Sequence, residues 1–246
     1  MIVTPIKTHK ITTKDTSICA ILDTYITRLE EKTIIAVTSK IVSLTEGRVA
    51  PMTADKKLLI KQESAFFLPS TSSKYDVQFT IKNNILAASA GIDESNADNQ
   101  YVLWPENPQQ SANIVRQHLS QKFGVSKVGV IITDSKTTPL RWGVTGISLA
   151  HSGFVALKDY IGTEDLFGRK FHYEKLNIAD TLASSAIVVM GEGAEQTPLA
   201  CITDIPHITF QDRNPTADEI NSLIIQPQDD LYEPLLTSVT WEKGEK

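Results

Sequence analysis

Three short segments set an acidic side chain among glycines and small polar residues. They are Ala90-Gly91-Ile92-Asp93-Glu94-Ser95-Asn96, Val130-Ile131-Ile132-Thr133-Asp134-Ser135 and Met190-Gly191-Glu192-Gly193-Ala194-Glu195. In the first, Gly91 allows a tight backbone turn. Asp93 and Asn96 then offer hard oxygen ligands of the kind magnesium and manganese take. In the second, an apolar strand delivers Asp134 at its carboxyl end, where ligands gather in sheets containing parallel strands. Ser135 adds a hydroxyl beside it. In the third, glycines on both sides of Glu192 let the backbone approach a polyphosphate. No Gly-Lys-Ser/Thr follows, so this is not a P-loop. Taken singly, each segment has a plainer reading: an Asx turn at Asp93, a strand end at Asp134, a glycine turn at 191–193.

Two cationic side chains are candidates for holding acidic substrates. Arg141 could clamp a carboxylate or phosphate with its planar fork, or be a solvated surface arginine. Lys158 opens the charge-dense stretch 157–169, which reads as a cleft wall or as a surface turn. Other chemistries find no support. The five histidines form no HExxH or close pair suited to zinc, no Gly-x-Ser-x-Gly elbow exists, and Cys19 and Cys201 are not in a CxxC pair.

The surrounding pattern says which elements position these residues. Ile18, Leu22, Ile26 and Leu29 recur at helical spacing, predicting a helix over 15–31. Thr33 to Thr38 is a β-branched run, read as a buried strand. Residues 51–76 read as a helix followed by a polar loop around Ser70 to Ser73. The runs 77–82 and 85–89 flank Asn83-Asn84, a hairpin signal. Helices are predicted over 108–123 with Gly124 as its stop, over 177–187 with Leu176, Leu182 and Ala186 inward, and over 216–225 behind a Thr216/Glu219 capping box. Lys127 to Thr133 is the strand that ends in Asp134. Strands and helices mix without strict alternation, which points to an α+β fold with mixed or antiparallel sheets and packed helices.

The 246 residues are 41% apolar and 22% charged, an ordinary globular composition in which no staple is needed to hold a core. A net charge of −5 with scattered lysines and arginines argues against a nucleic-acid partner, and nothing favours a membrane surface. Two separated cysteines make no disulfide framework and fit a reducing compartment. No charged segment leads into an apolar stretch at the N-terminus, so a signal peptide is not expected. The expectation is a cytoplasmic protein with one domain over 1–246, its motifs within 1–204 and a tail over 205–246.

In their order along the chain, these segments resemble one family, the coenzyme F-420-0:γ-glutamyl ligases. The residues that carry the resemblance are Ser39 with Glu46-Gly47-Arg48, the segment 90–96, and Ile131 to Ser135. It continues through Arg141-Trp142-Gly143-Val144, Gly146, Asp165 to Arg169, Ala179-Asp180, and Met190 to Gly193. The resemblance implies a ligase-type α+β fold in an intertwined homodimer. It implies GTP as co-substrate, two divalent ions (Mg2+ or Mn2+), K+ as a further ion, and attachment of L-glutamate to a carboxylate acceptor. By position, Asp93, Asp134, Ser135 and Glu192 would bind metal. His9, Lys10, Ile11, Thr12, Ser39, Lys40, Asn96 and the run Met190, Gly191, Glu192, Gly193, Ala194, Glu195, Gln196, Thr197 would contact the nucleotide. The family often has lysine where this chain has Leu44. The tail beyond 204 is similar to a subgroup with a proposed role in folate metabolism, so the implied acceptor is coenzyme F-420-0-like or folate-like.

The chemistry is coherent. A carboxylate is a poor acyl donor and must first be phosphorylated, and divalent ions neutralise charge at the transferring phosphate. Two alternatives share the same acids: a metal-dependent phosphoryl-transfer enzyme or nucleotidase that uses no glutamate, and a non-catalytic nucleotide-binding dimer.

Overall fold

The computed structural model describes residues 1–69 and 75–246, so the expected polar loop at Ser70 to Ser73 lies outside the described residues. The elements run β1 (Ile2–Ile6), α1 (Ile18–Tyr25), β2 (Thr33–Thr38), α2 (Ser39–Thr45), β3 (Val49–Pro51), α3 (Lys56–Glu63), β4 (Phe66–Phe67), β5 (Phe79–Lys82), β6 (Ile85–Ala88) and β7 (Gln100–Val102). Then come α4 (Pro108–Phe123), β8 (Val128–Thr137), β9 (Val144–Ser152), β10 (Leu157–Asp159), β11 (Lys175–Asn177), α5 (Ile178–Met190), β12 (Leu199–Thr203), α6 (Ala217–Asn221), α7 (Glu233–Leu236) and β13 (Glu242–Lys243).

The central sheet has the order β1-β12-β2-β8-β9. Only the β2–β8 pair is parallel; its neighbours pair antiparallel. The mixed α+β expectation therefore holds. Helices cover both faces of this sheet, which explains why β2 and β8 read as unbroken apolar runs rather than alternating ones. On one face Ile35, Val37, Val130 and Ile132 pack with Leu22 of α1 and with Val115 and Leu119 of α4. On the other, Ile34, Ala36 and Ile131 pack with Leu182, Ala183 and Ala186 of α5. A smaller sheet has the order β13-β4-β5-β6, β3 pairs with β7, and a third cluster joins Ile60 of α3 to Ile92, Tyr101 of β7 and Leu103.

Several boundaries differ from the sequence reading. The first helix spans only Ile18–Tyr25: Ser17 caps its start by accepting from the Ala20 amide, and the chain turns extended at Ile26. β-branched Thr24, Ile26 and Thr27 cluster at that exit. Ile26 and Leu29 are still buried, so the apolar period was satisfied by irregular backbone. Leu176 does not pack inward; it lies in β11 and is exposed. The last predicted helix is cut to Ala217–Asn221, although its capping box is present as read. The hairpin stands, with Asn83 and Asn84 at φ 52° and 58° between β5 and β6. Helix α4 starts on an Asn107 cap with Pro108 behind it and stops at left-handed Gly124.

The second site strand is longer than expected. β8 runs to Thr137 because β9 pairs with it as far as Val144. Asp134 therefore lies inside a strand, just past an irregularity in the β8–β9 register at Ile132/Thr133, rather than at a strand end. Such bulges re-aim side chains beside functional sites.

Candidate active site

The parallel pair β2–β8 opens at its carboxyl end into a cleft of about 510 Å³. Strand β2 feeds α2, which brings Ser39 and Lys40. The turn after β6 brings Asp93 and Asn96. Strand β8 brings Asp134 and Ser135, and the loop after α5 brings residues 190–197. Of the candidates named from sequence, His9, Lys10, Ile11, Ser39, Lys40, Asp93, Asn96, Asp134, Ser135 and all of Met190 to Thr197 line this one cleft. Thr12 does not; its amide donates to Asp15. Arg141 and Lys158 do not line it either. Arg141 is exposed in the turn between β8 and β9, and Lys158 stacks its ammonium over Tyr160, 4.8 Å from the ring centroid. Leu44, at the position where the resemblance led to lysine, is buried and lines the cleft.

Each acid is held differently. Asp93 Oδ2 receives the Lys40 ammonium at 2.6 Å, and Asp93 Oδ1 accepts the Ser95 amide at 2.7 Å. The second bond is the Asx turn read from the sequence as the plain alternative, and Asp93 lines the cleft while making it. Lys40 also donates to the carbonyl and hydroxyl of Ser95 at 2.9 and 3.0 Å. Burial pushes the Asp93 carboxyl up, but the Lys40 ammonium and the Ser95 bonds outweigh it and leave the pKa below the ordinary value.

Asp134 behaves oppositely. Its Oδ1 accepts the Ser135 amide at 2.8 Å and its Oδ2 accepts the indole N–H of Trp104. Burial dominates over these donors, and the nearby charge of Asp93 adds to it, so the carboxyl is pushed up to about 6. Glu192 is exposed and accepts the Ser135 hydroxyl at 2.7 Å. Asn96 reaches across from the other wall and donates to the Gly193 carbonyl at 3.0 Å, tying the first segment to the third.

Among the described residues, no three His, Cys, Asp or Glu side chains are grouped closely enough to form a ready metal cage. The donor chemistry nevertheless fits a hard divalent cation. The three acids and Ser135 supply only oxygen. Asp93 is already paired with an ammonium, while Asp134 carries a pKa raised by burial and by the neighbouring charge of Asp93.

Sequence reasoning missed the residues behind the acids. Trp104 was not singled out, because it belongs to none of the motifs. Arg48, seen only as part of the Glu46-Gly47-Arg48 motif, donates from Nε to the Trp104 carbonyl at 3.1 Å and grips Glu63 with both contacts under 3 Å. Glu46 accepts the Ser111 hydroxyl at 2.6 Å and so locks the start of α4. Asp180, also in the matching pattern, accepts the Ser148 amide at 2.9 Å and is structural here.

A family model described as F420-0:Gamma-glutamyl ligase matches residues 5–204. The chain belongs to the F420-0:gamma-glutamyl ligase family. It is similar to the "Coenzyme F420:L-glutamate ligase" of Methanococcus maripaludis strain S2, with 34% identity over 209 residues, covering 78% of this chain and 83% of that one. To the protein of the same name from Archaeoglobus fulgidus it is 31% identical over 191 residues, 71% of this chain and 76% of the relative. The Methanocaldococcus jannaschii protein of that name is 43% identical over 121 residues, 49% and 48% of the two chains. In this alignment, as in that with the Methanococcus maripaludis strain C6 protein, the chain spans about half the relative's length. The family match covers the cleft's acids and stops before α6, so the tail from 205 onward lies outside it. Among the described residues no helix is long and apolar enough to cross a membrane.

Proposed function

We propose that this protein is a nucleotide-driven amide ligase that joins L-glutamate through its amino group to a carboxylate acceptor of the coenzyme F420-0 type. Family membership supports the reaction class. The observation that carries the site assignment is the convergence of Asp93, Asp134 and Glu192 on one cleft from three distant segments. Folate-like acceptors remain the second acceptor class, motivated by the tail.

Asp93, Asp134 and Glu192, with the Ser135 hydroxyl, are the residues that would hold Mg2+ or Mn2+. Such ions would supply the positive charge that a transferring phosphate of GTP needs. The loop 190–197, Lys40 and His9 to Ile11 line the cleft, and in this reading the loop and Lys40 contact the phosphates. In the first step an oxygen of the acceptor carboxylate attacks the γ-phosphorus and GDP leaves, giving an acyl phosphate. In the second, the glutamate amine attacks the acyl carbon, the carbon–oxygen bond to phosphate breaks, orthophosphate departs with the electron pair, and the amine proton passes to solvent. Lys40 and Lys10 are the cleft's own ammonium groups available to the acidic partners. Closing the cleft against water matters, because an acyl phosphate left open to solvent is hydrolysed.

A homodimer is part of this proposal. Leu140 and Trp142 in the β8–β9 turn, and Leu166 and Phe167 between β10 and β11, stand almost wholly in solvent on the single chain. Large apolar side chains left bare in these two arms support burial against a second copy. Arg141 sits between Leu140 and Trp142 in one of those arms, away from the cleft of its own chain.

A phosphoryl-transfer enzyme that uses no glutamate is the second reading, favoured by the absence of Arg141 and Lys158 from the cleft. Phosphate release from GTP separates the two. The ligase requires glutamate and acceptor together for sustained release, whereas a nucleotidase releases phosphate at the same rate without either. Asp93→Asn should abolish release in both cases; an active variant removes Asp93 from the site.

A further inference from the structure

Directly behind the acids lies a buried polar cluster that the reaction above does not use. Trp104 is only 3% exposed, and its single N–H is aimed at Asp134 Oδ2. Its carbonyl is held by Arg48 Nε. Below the ring, the Lys82 ammonium sits 5.2 Å from the indole centroid, 2.8 Å from Glu63 Oε2 and 3.3 Å from the Ala90 carbonyl. Lys82 and Glu63 are 4% and 6% exposed. Burying an ammonium is costly unless it is paired, and Glu63, itself gripped by Arg48, supplies the pair.

The cluster touches Asp134 and reaches Asp93 through the intervening chain. Towards Asp134 it acts through the indole. Towards Asp93 it acts through the backbone: Ser89 and Ala90 are both left-handed, at φ 49° and 55°, a conformation that ordinary residues avoid. That strained step is held by two buried groups, since Ala90 N–H donates to Thr80 Oγ1 at 2.9 Å and the Ala90 carbonyl accepts from Lys82. Asp93 follows three residues on. Gly91 completes the unit, because a Cβ there would lie 2.1 Å from Trp104 Nε1. The motif glycine is therefore the space in which the indole stands.

We infer that Trp104, seated on Lys82 and Glu63, is a positioning residue that fixes which oxygen lone pairs of Asp134 face the cation. With one donor on each oxygen, Ser135 N–H on Oδ1 and Trp104 N–H on Oδ2, the carboxylate has one orientation. Partners that orient a metal ligand in this way typically carry about 10–100-fold in metal affinity or activity. The inference rests on the metal site proposed above.

The test uses the intact protein. Wild-type protein carrying 15N-indole tryptophan shows one indole resonance for each of its three tryptophans, Trp104, Trp142 and Trp241. Titration with Mg2+ should move the Trp104 resonance and leave the other two in place. Trp104→Phe keeps a ring over Lys82 and deletes the donor. It should weaken Mn2+ binding, read by electron paramagnetic resonance, about tenfold or more, and raise the KM for metal while saturating metal returns kcat towards wild type. If Trp104→Phe does not fold, Trp142→Phe and Trp241→Phe assign the resonances by elimination, and the Mg2+ titration decides alone. Mg2+ or Mn2+ binding at wild-type affinity in Trp104→Phe, or an unmoved Trp104 resonance at saturating Mg2+, overturns the inference and leaves the metal site standing. No metal binding in the wild type, with Asp93→Asn indistinguishable from it, overturns both.

Discussion

The Lys40 ammonium lies 2.6 Å from Asp93 Oδ2, across a gap of fifty-three positions in the chain. Lys40 opens α2 directly after β2, and Asp93 follows the strained turn after β6, so the pair ties the end of a central strand to that turn. It also gives the cleft an internal cation where a divalent one is proposed. Lys40→Met should leave Asp93 and Asp134 facing each other with less compensation. Both partners are part-exposed, so the loss of stability is small, about 0.5–1 kcal/mol. Thermal melts check it: the variant should melt lower without metal, and Mn2+ should raise its melting temperature by more than it raises that of the wild type.

Gly91, the glycine of the first motif, should not tolerate a side chain. Gly91→Ala forces a Cβ into the Trp104 indole and places a side chain at φ 71°. Overpacking and backbone strain each cost about 1–3 kcal/mol, together a melting temperature lower by about 4–24 °C at about 2–4 °C per kcal/mol for this size. Gly124→Ala is the control, with φ 65° but nothing within 4 Å of its Cβ, and should lose only the backbone part. Equal losses in the two variants would show that the indole contact carries no weight.

Glu192 is tethered through Ser135 rather than through burial. Ser135→Ala removes the 2.7 Å bond that holds Glu192 over the cleft without opening a cavity. It should leave the melting temperature within about 2 °C of wild type, since a half-buried hydroxyl lost outside the apolar core changes stability little. Metal affinity, read by calorimetric titration, should weaken several-fold.

His151 sets a pH dependence away from the cleft. It is 2% exposed, its Nε2 meets no partner among the described residues, and burial pushes its pKa down to about 4. The unfolded chain protonates a histidine near pH ~6.5, so between that pH and about 4 the unfolded state binds the extra proton. Stability is therefore full above pH ~6.5 and falls as the pH is lowered through this window. His151→Leu should flatten this part of the curve while changing stability little at pH ~7. Urea unfolding at a series of pH values between ~4 and ~7.5 reads it, and parallel curves for the two proteins would refute it.

Much of the molecule was legible because its signals were local. Asn83-Asn84 made the hairpin, Gly124 stopped α4, and the continuous apolar runs of β2 and β8 announced strands covered on both faces. The site acids were legible only as an ordered set, since each alone sat in an ordinary turn or strand. What stayed hidden depends on contacts between distant segments. Trp104 and Asp134 are thirty positions apart and Lys40 and Asp93 fifty-three, and no periodicity reports such pairs. The length of β8 was misjudged for the same reason: β9 pairs with it through the polar residues beyond Asp134, which propensity alone does not extend. Leu176 misled because a leucine at a helical period was taken as core when it belonged to a short exposed strand.

The central claim is that the cleft makes an amide bond with glutamate. The direct measurement is the mass of the acceptor after incubation of the protein with GTP, Mn2+, L-glutamate and either coenzyme F420-0 or a folate. The account predicts an acceptor heavier by one glutamyl residue, formed in step with GDP and phosphate and absent when Asp93→Asn replaces the wild type. GTP turned over to GDP with no glutamyl adduct on either acceptor class would contradict it and favour the simple phosphoryl-transfer reading.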